Sequence, residues 1–222
     1  MTRMDWQWLI WLAMGYLCGS VPFGLLIGFA RGVDIREAGS GNIGATNASR
    51  VLGRKWGVIC FVLDVLKGWA PVFIAGGVMG AVSEAALSPQ DAWLWLAVGA
   101  LAVIGHVFPI WLGLRGGKGV ATGFGVLLGF WPILTWPALA ALVVWVAMAI
   151  AMRYVSLASM AAAVSLPIWV VVFALSNGRT IADCWPFVAA TAAMAALVLI
   201  RHRANLARLC KGTESKIGDK TT

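Results

Sequence analysis

Charge is what this chain has least of. Only 12% of its 222 residues are Asp, Glu, Lys or Arg, against roughly 25% in a soluble domain, while 61% are hydrophobic and mean hydropathy is +0.87. Soluble enzymes, secreted disulfide scaffolds and disordered regulators are excluded. Acidic residues are scarcest: nine Asp and Glu stand against 17 Lys and Arg, a net charge of +8. In a membrane protein such an excess collects in cytoplasmic loops, so nucleic acid is not the partner it points to. The cysteines Cys18, Cys60, Cys184 and Cys210 show no C-x-x-C spacing, and three lie in apolar runs where a thiol packs as a small hydrophobe. Neither a disulfide nor a metal site is implied.

What the chain has in quantity is long uncharged runs. Trp6 to Ala30 is 25 residues without a charge, past the roughly 20 that a spanning helix needs, and no small-residue cleavage site follows a short apolar core. Gly119 to Met152 is 34 residues; as one helix it would measure about 51 Å against a hydrocarbon core of about 30 Å. Trp131-Pro132 and Trp136-Pro137 break it, because proline ends helices and tryptophan favours the bilayer interface. The expected fold is an all-α integral membrane protein of one domain, 1–222, with seven spans at about 6–30, 56–81, 92–112, 119–133, 135–152, 154–178 and 184–200. Placing the N-terminus outside puts 14 of the 17 bases on the inner side, leaving Arg3 and Arg179 outside and Lys67 within a span. The positive-inside rule therefore sets a periplasmic N-terminus and a cytoplasmic C-terminus.

Three inner segments are unlike plain connectors. The first, Arg36 to Arg50, packs Gly39, Ser40, Gly41, Asn42, Gly44, Thr46 and Asn47 around an arginine, and glycines entering a helix offer N–H groups to an anion. Its Gly39–Gly44 stretch matches G-x-G-x-x-G, but no strand precedes it and no βαβ unit surrounds it, so a dinucleotide site is rejected. The second, Arg115 to Gly123, sets Gly116, Gly117, Lys118, Gly119 and Thr122 together; Leu112 and Gly119 occupy the positions where a Walker A motif needs Gly and Ser or Thr. It still offers amides, a lysine point charge and a hydroxyl suited to phosphate. The third, Arg201 to Glu214, leaves the last span with His202, Asn205 and Arg208; a continuing helix would align His202, Asn205 and Leu209 on one face. Within the membrane, Asp64 and Lys67 at i and i+3 pair as opposite charges, a pairing of structural character, and His106 on the third span suits an interhelical hydrogen bond.

These residues resemble the PlsY family of bacterial acyl-phosphate:glycerol-3-phosphate acyltransferases. The resemblance rests on Gly19-Ser20-Val21-Pro22-Phe23-Gly24, the Gly39–Arg50 loop, Asp64-x-x-Lys67-Gly68, Gly105-His106-x-x-Pro109 with Gly116–Thr122, Arg153-Tyr154-x-Ser156, and His202-x-x-Asn205-x-x-Arg208 with Glu214. It implies a multi-pass enzyme of the bacterial inner membrane that moves a fatty acyl chain from acyl phosphate to the 1-hydroxyl of sn-glycerol 3-phosphate. No cofactor and no metal are implied. Its partners would be the two substrates and membrane lipids, with no nucleic acid, and a monomer is admitted. Ser40, Arg50, Lys118, His202 and Asn205 map to the catalytic ligands of glycerol phosphate. Asn42, Thr46 and Ser156 map near the acyl phosphate, and Glu214, like Asp64 and Lys67, to a structural role near the site.

Two further absences narrow the chemistry. The residues five after the two histidines are Trp111 and Ala207, so the H-x-x-x-x-D signature of soluble-type glycerophosphate acyltransferases is missing, and there is no G-x-S-x-G nucleophile elbow. Direct transfer without a covalent acyl-enzyme is the expectation. The alternative is a multi-pass anion or phosphate transporter, which Asp64 and Lys67 alone favour, because its site would lie at the bilayer midplane.

Overall fold

Runs without polar periodicity can satisfy their backbone in lipid only as helices. The structure, a computed structural model, describes residues 6–80 and 88–219 and is all-helical over them. Arg3, Ala81 and Lys220, which entered the span and charge arguments, lie outside the described residues. The helices are α1 (Trp6–Ser20), α2 (Phe23–Ala30), α3 (Ala45–Leu52), α4 (Arg54–Val78), α5 (Pro89–Val107), α6 (Val120–Gly129), α7 (Thr135–Met152), α8 (Val155–Ser176), α9 (Ile181–Arg201) and α10 (Arg203–Cys210), with a 3₁₀ turn at Ile110–Leu112.

Among the described residues, five segments have the length and apolarity to cross a bilayer: Arg54–Val78, Gln90–Leu112, Thr135–Met152, Val155–Ser176 and Ile181–Arg201. They coincide with five of the expected spans. The span expected over 6–30 is two helices bent by 41°, because Pro22, two residues past the end of α1 at Ser20, brings no N–H to continue the ladder. It makes a sixth crossing if counted whole. Over 119–133 the helix α6 is only 10 residues, about 15 Å. Past Arg201 the helix breaks at His202, which ends α9 and precedes α10, so the alignment a continuing helix would give does not form.

The chain divides after Trp131 into two units. In the first, α1 packs on α5 and α4 on α6 through glycine. A Cβ at Gly19 would strike the Ala102 carbonyl and one at Gly125 the Val65 carbonyl, so the backbones touch where a side chain would hold them apart. Trp95, fully buried between α4 and α6, donates its indole N–H to the Val72 carbonyl at 2.8 Å and meets Phe130 edge-on. In the second unit α7, α8 and α9 pack in sequence, with Trp145 donating to Ser159 Oγ at 3.1 Å. Outward residues such as Val143 and Ile150 are 69% and 75% exposed, a lipid-facing surface.

Candidate active site

The first glycine loop is held from within. Gly39 and Gly41 adopt φ of +61° and +68°, the left-handed region open to glycine, and the turn they make wraps the buried amide of Asn47. Asn47 Oδ1 accepts from Ser40 N at 2.8 Å, while Nδ2 donates to the carbonyls of Ile35 at 2.7 Å and Ala38 at 3.2 Å. Asn42 Oδ1 accepts from Gly44 N at 2.9 Å and fixes the start of α3. Beneath, Ile35 and Ile43 join Leu25, Ala48 and Cys60 in a buried apolar cluster. Asn47, expected among the substrate ligands, is thus consumed in shaping the loop. Ser40 and Thr46 are exposed and Arg50 half-buried, and among the described residues no side-chain hydrogen bond or ion pair engages them. At the loop entrance Arg36 grips Asp34 at 2.6 Å; its side-chain and backbone hydrogen bonds hold that carboxyl below the usual aspartate value.

The second glycine loop hangs from the end of α5. Gly116 N donates to the Val107 carbonyl at 3.0 Å and Gly117 N to the His106 carbonyl at 3.1 Å. Those two amides, expected to face an anion, instead anchor the loop. Gly119 follows with φ +81° as the cap of α6, whose first-turn N–H groups have no intrahelical acceptor. Lys118, half-buried, stands between them. Thr122 is fully buried against α4, its Oγ1 without a hydrogen bond, so it packs rather than presenting a hydroxyl.

The intramembrane charges are paired as expected. Lys67 Nζ lies 2.8 Å from Asp64 Oδ1 and donates to the Val21 carbonyl at 2.6 Å, with both side chains no more than 4% exposed. That carbonyl follows the end of α1, where the helix dipole is negative, so the ammonium also stabilises the break before Pro22. Cys60 Sγ reaches Asp64 Oδ2 at 3.8 Å, and His106 Nδ1 lies 3.9 Å from Asp64 Oδ1.

In the second unit Glu214 gathers the polar residues. Its Oε1 accepts from Ser156 Oγ at 2.7 Å and Asn205 Nδ2 at 2.6 Å, and its Oε2 from Arg208 Nε at 2.7 Å. Burial pushes this carboxyl up, but the three hydrogen bonds and the guanidinium charge outweigh it and hold it below the usual glutamate value. A strap fastens the tail: Ile217 N donates to the Arg153 carbonyl at 2.7 Å, and Arg153 Nη2 to the Ile217 carbonyl at 2.8 Å. Nothing local in the sequence signalled that strap. His202 is buried with Nδ1 2.8 Å from the Val198 carbonyl. A carbonyl only accepts, so Nδ1 carries the proton in this contact.

The fold and these clusters define a multi-pass membrane protein whose glycine loops carry cations and hydroxyls suited to phosphate groups. The model of the family described as glycerol-3-phosphate acyltransferase matches residues 9–212. The glycerol-3-phosphate acyltransferase of Mesorhizobium japonicum is 44% identical over 98% of this chain and 100% of its own length. That of Thermosynechococcus vestitus is 43% identical over 92% of each. A crystal structure of PlsY, an integral membrane glycerol 3-phosphate acyltransferase in its glycerol 3-phosphate form, aligns with a TM-score of 0.79 at 38% identity, covering 95% of this chain and 96% of that one. Its lysophosphatidic acid form gives 0.77 at 37%, covering 95% of each. The chain belongs to the glycerol-3-phosphate acyltransferase family.

Proposed function

We propose that this protein transfers a fatty acyl group from acyl phosphate to the 1-hydroxyl of sn-glycerol 3-phosphate, releasing lysophosphatidic acid and phosphate at the cytoplasmic face of a bacterial inner membrane. Similarity over nearly the full length to a relative solved in both its glycerol 3-phosphate and lysophosphatidic acid forms carries the reading. In the first unit Ser40, Arg50 and Lys118 bind glycerol phosphate, with Thr46 and the Gly39–Gly44 backbone toward the acyl phosphate. The roles of His202, Asn205 and Ser156 rest on the resemblance, and Glu214 holds the latter two in place.

The glycerol oxygen bonds to the acyl carbon, the carbon–oxygen bond to phosphate breaks, and the hydroxyl proton passes to a substrate phosphate. The leaving group is already good, so positioning two anions supplies much of the rate and no acyl-enzyme forms. His202 acts as a ligand rather than the base: His202→Gln should weaken glycerol phosphate binding, and loss of turnover with binding intact would make it the base.

Seven crossings with a periplasmic N-terminus and one catalytic domain remain our reading. The bent α1–α2 pair makes one crossing. The short α6 makes another, since Gly123, Gly125, Val126, Leu127 and Gly129 bury it in protein, where a helix shorter than the bilayer is tolerated. Asp64 and Lys67, which alone favoured transport, neutralise each other. The test is reconstitution with palmitoyl phosphate and glycerol 3-phosphate. Lysophosphatidic acid from palmitoyl phosphate supports the proposal; product from palmitoyl-CoA alone overturns the donor, and no product overturns the activity.

A further inference from the structure

Three buried titratable groups play no part in the reaction as proposed. They are Asp64, Lys67 and His106, whose side chains are 2%, 4% and 4% exposed. Burying charge in a membrane span is costly, and a lone hydrogen-bonded pair holding helices together would not need a histidine beside it. The position of His106 gives it a second contact. Its carbonyl takes the Gly117 N–H at 3.1 Å, and its imidazole lies so close beneath Gly117 that a Cβ there would collide with Nε2. Lys118 is the next residue. The ring is therefore the floor on which the lysine loop rests, and the Asp64 carboxylate 3.9 Å from Nδ1 faces its other nitrogen.

The same carboxylate reaches toward the other loop. Cys60, one turn before Asp64 and 3.8 Å from its Oδ2, belongs to the apolar cluster that carries Ile43 of the first glycine loop and Ile35 just before it. Gly24 of α2 is pressed between the Ile43 carbonyl and Cys60 Sγ, and Lys67 fastens the Val21 carbonyl just before that helix. One stretch of α4, residues 60–67, thus touches the supports of both loops.

We infer that His106, held by the Asp64–Lys67 pair, is a positioning residue that sets the Lys118 ammonium for glycerol phosphate. The inference rests on the proposed role of Lys118 and deepens it. Misplacing a binding group by a fraction of an ångström weakens one substrate without touching the other, so the signature is a split between two Michaelis constants.

The experiment measures KM for glycerol 3-phosphate and for palmitoyl phosphate in proteoliposomes of His106→Gln, Gly117→Ala, Lys118→Ala and the double variant His106→Gln with Lys118→Ala. His106→Gln should raise the glycerol 3-phosphate KM about tenfold and move the palmitoyl phosphate KM by less than about twofold. Gly117→Ala, which lifts the loop off the ring while leaving every buried charge in place, should give the same split. It decides the matter if His106→Gln does not fold. In the Lys118→Ala background, His106→Gln should add no further rise, because the group it positions is gone. Equal rises in both constants, no rise in Gly117→Ala, or an additive double variant would overturn the inference. If Lys118→Ala itself leaves the glycerol 3-phosphate KM unchanged, the ligand assignment fails first, and the two failures are told apart.

Discussion

Asn47 offers the sharpest test of how the first loop is built. Its side chain is 1% exposed and closes three hydrogen bonds, to Ser40 N at 2.8 Å, the Ile35 carbonyl at 2.7 Å and the Ala38 carbonyl at 3.2 Å. Asn47→Ala strands all three backbone groups. The Ile35 bond is fully buried and the others partly so; with one full desolvation penalty and two reduced ones, the loss is about 3 kcal/mol. For a chain of this size that is a fall in Tm of about 6–12 °C, readable by tryptophan fluorescence in detergent. The loop that carries Ser40 loosens too, so the KM for glycerol 3-phosphate should rise in the same variant. Asn47→Asp is the finer probe, since it keeps an acceptor for Ser40 N but turns a carboxylate oxygen against two carbonyls. It should cost at least as much as alanine. A wild-type Tm and KM in Asn47→Ala, or a silent Asn47→Asp, would refute this account of the loop.

Arg50→Ala and Lys118→Ala should each lower kcat/KM for glycerol 3-phosphate by about 10- to 100-fold, the loss of one charge-assisted hydrogen bond to phosphate, while circular dichroism stays unchanged. Lys67→Met leaves the Asp64 carboxylate buried and unpaired and should cost about 3–5 kcal/mol; adding Asp64→Asn should recover most of it in a thermal melt, because an absent pair is cheaper than half of one. Glu214, with its carboxyl below the ordinary glutamate value, contributes stability that is full above that ordinary value, about 4.3, and is lost as pH falls through its lower folded-state value. Glu214→Gln should therefore lower Tm at neutral pH and flatten the acid limb of Tm against pH. An acid limb identical to wild type would show that the carboxylate is not what fastens Ser156 and Asn205.

The helices were legible because their cause is local. The Trp-Pro pairs at 131–132 and 136–137 placed the break in the 34-residue run, and α7 and α8 begin and end within two residues of the expected spans. The bend at Pro22 carried the same proline signal, but an uncharged run of 25 residues outweighed it. The break at His202 has neither proline nor glycine to announce it. What hid the roles within the loops was sequence distance. Asn47 serves Ile35 twelve residues away, Glu214 serves Ser156 fifty-eight residues away, and His106 supports Gly117 through a turn that no helical period describes. Composition put Asn47 near phosphate chemistry and left His106 as an interhelical hydrogen bonder; only geometry divides holders from presenters.

That division carries a physical consequence. A backbone loop that must bind an anion gains little if it first has to be ordered by that anion, since the cost of ordering is subtracted from the binding free energy. Here the ordering is done by neutral or internally compensated groups: the Asn47 and Asn42 amides in one loop, the His106 and Val107 carbonyls in the other, with Asp64 cancelling Lys67 below. None of these adds net charge that would compete for the ligand. The side chains proposed to meet the substrates, Ser40, Thr46, Arg50 and Lys118, are hydroxyls and cations on half-buried or exposed positions. On the proposed assignment such a surface would meet a dianionic acceptor and an anionic donor with its donors already placed, and for a reaction whose leaving group is good from the start, placement is the larger part of what the protein must supply. A substitution that disturbs a holder should therefore act mainly on KM for the ligand its loop receives, and one that removes a presenter should act on kcat as well. Measured across Asn47, His106, Arg50 and Lys118, that contrast separates the two roles.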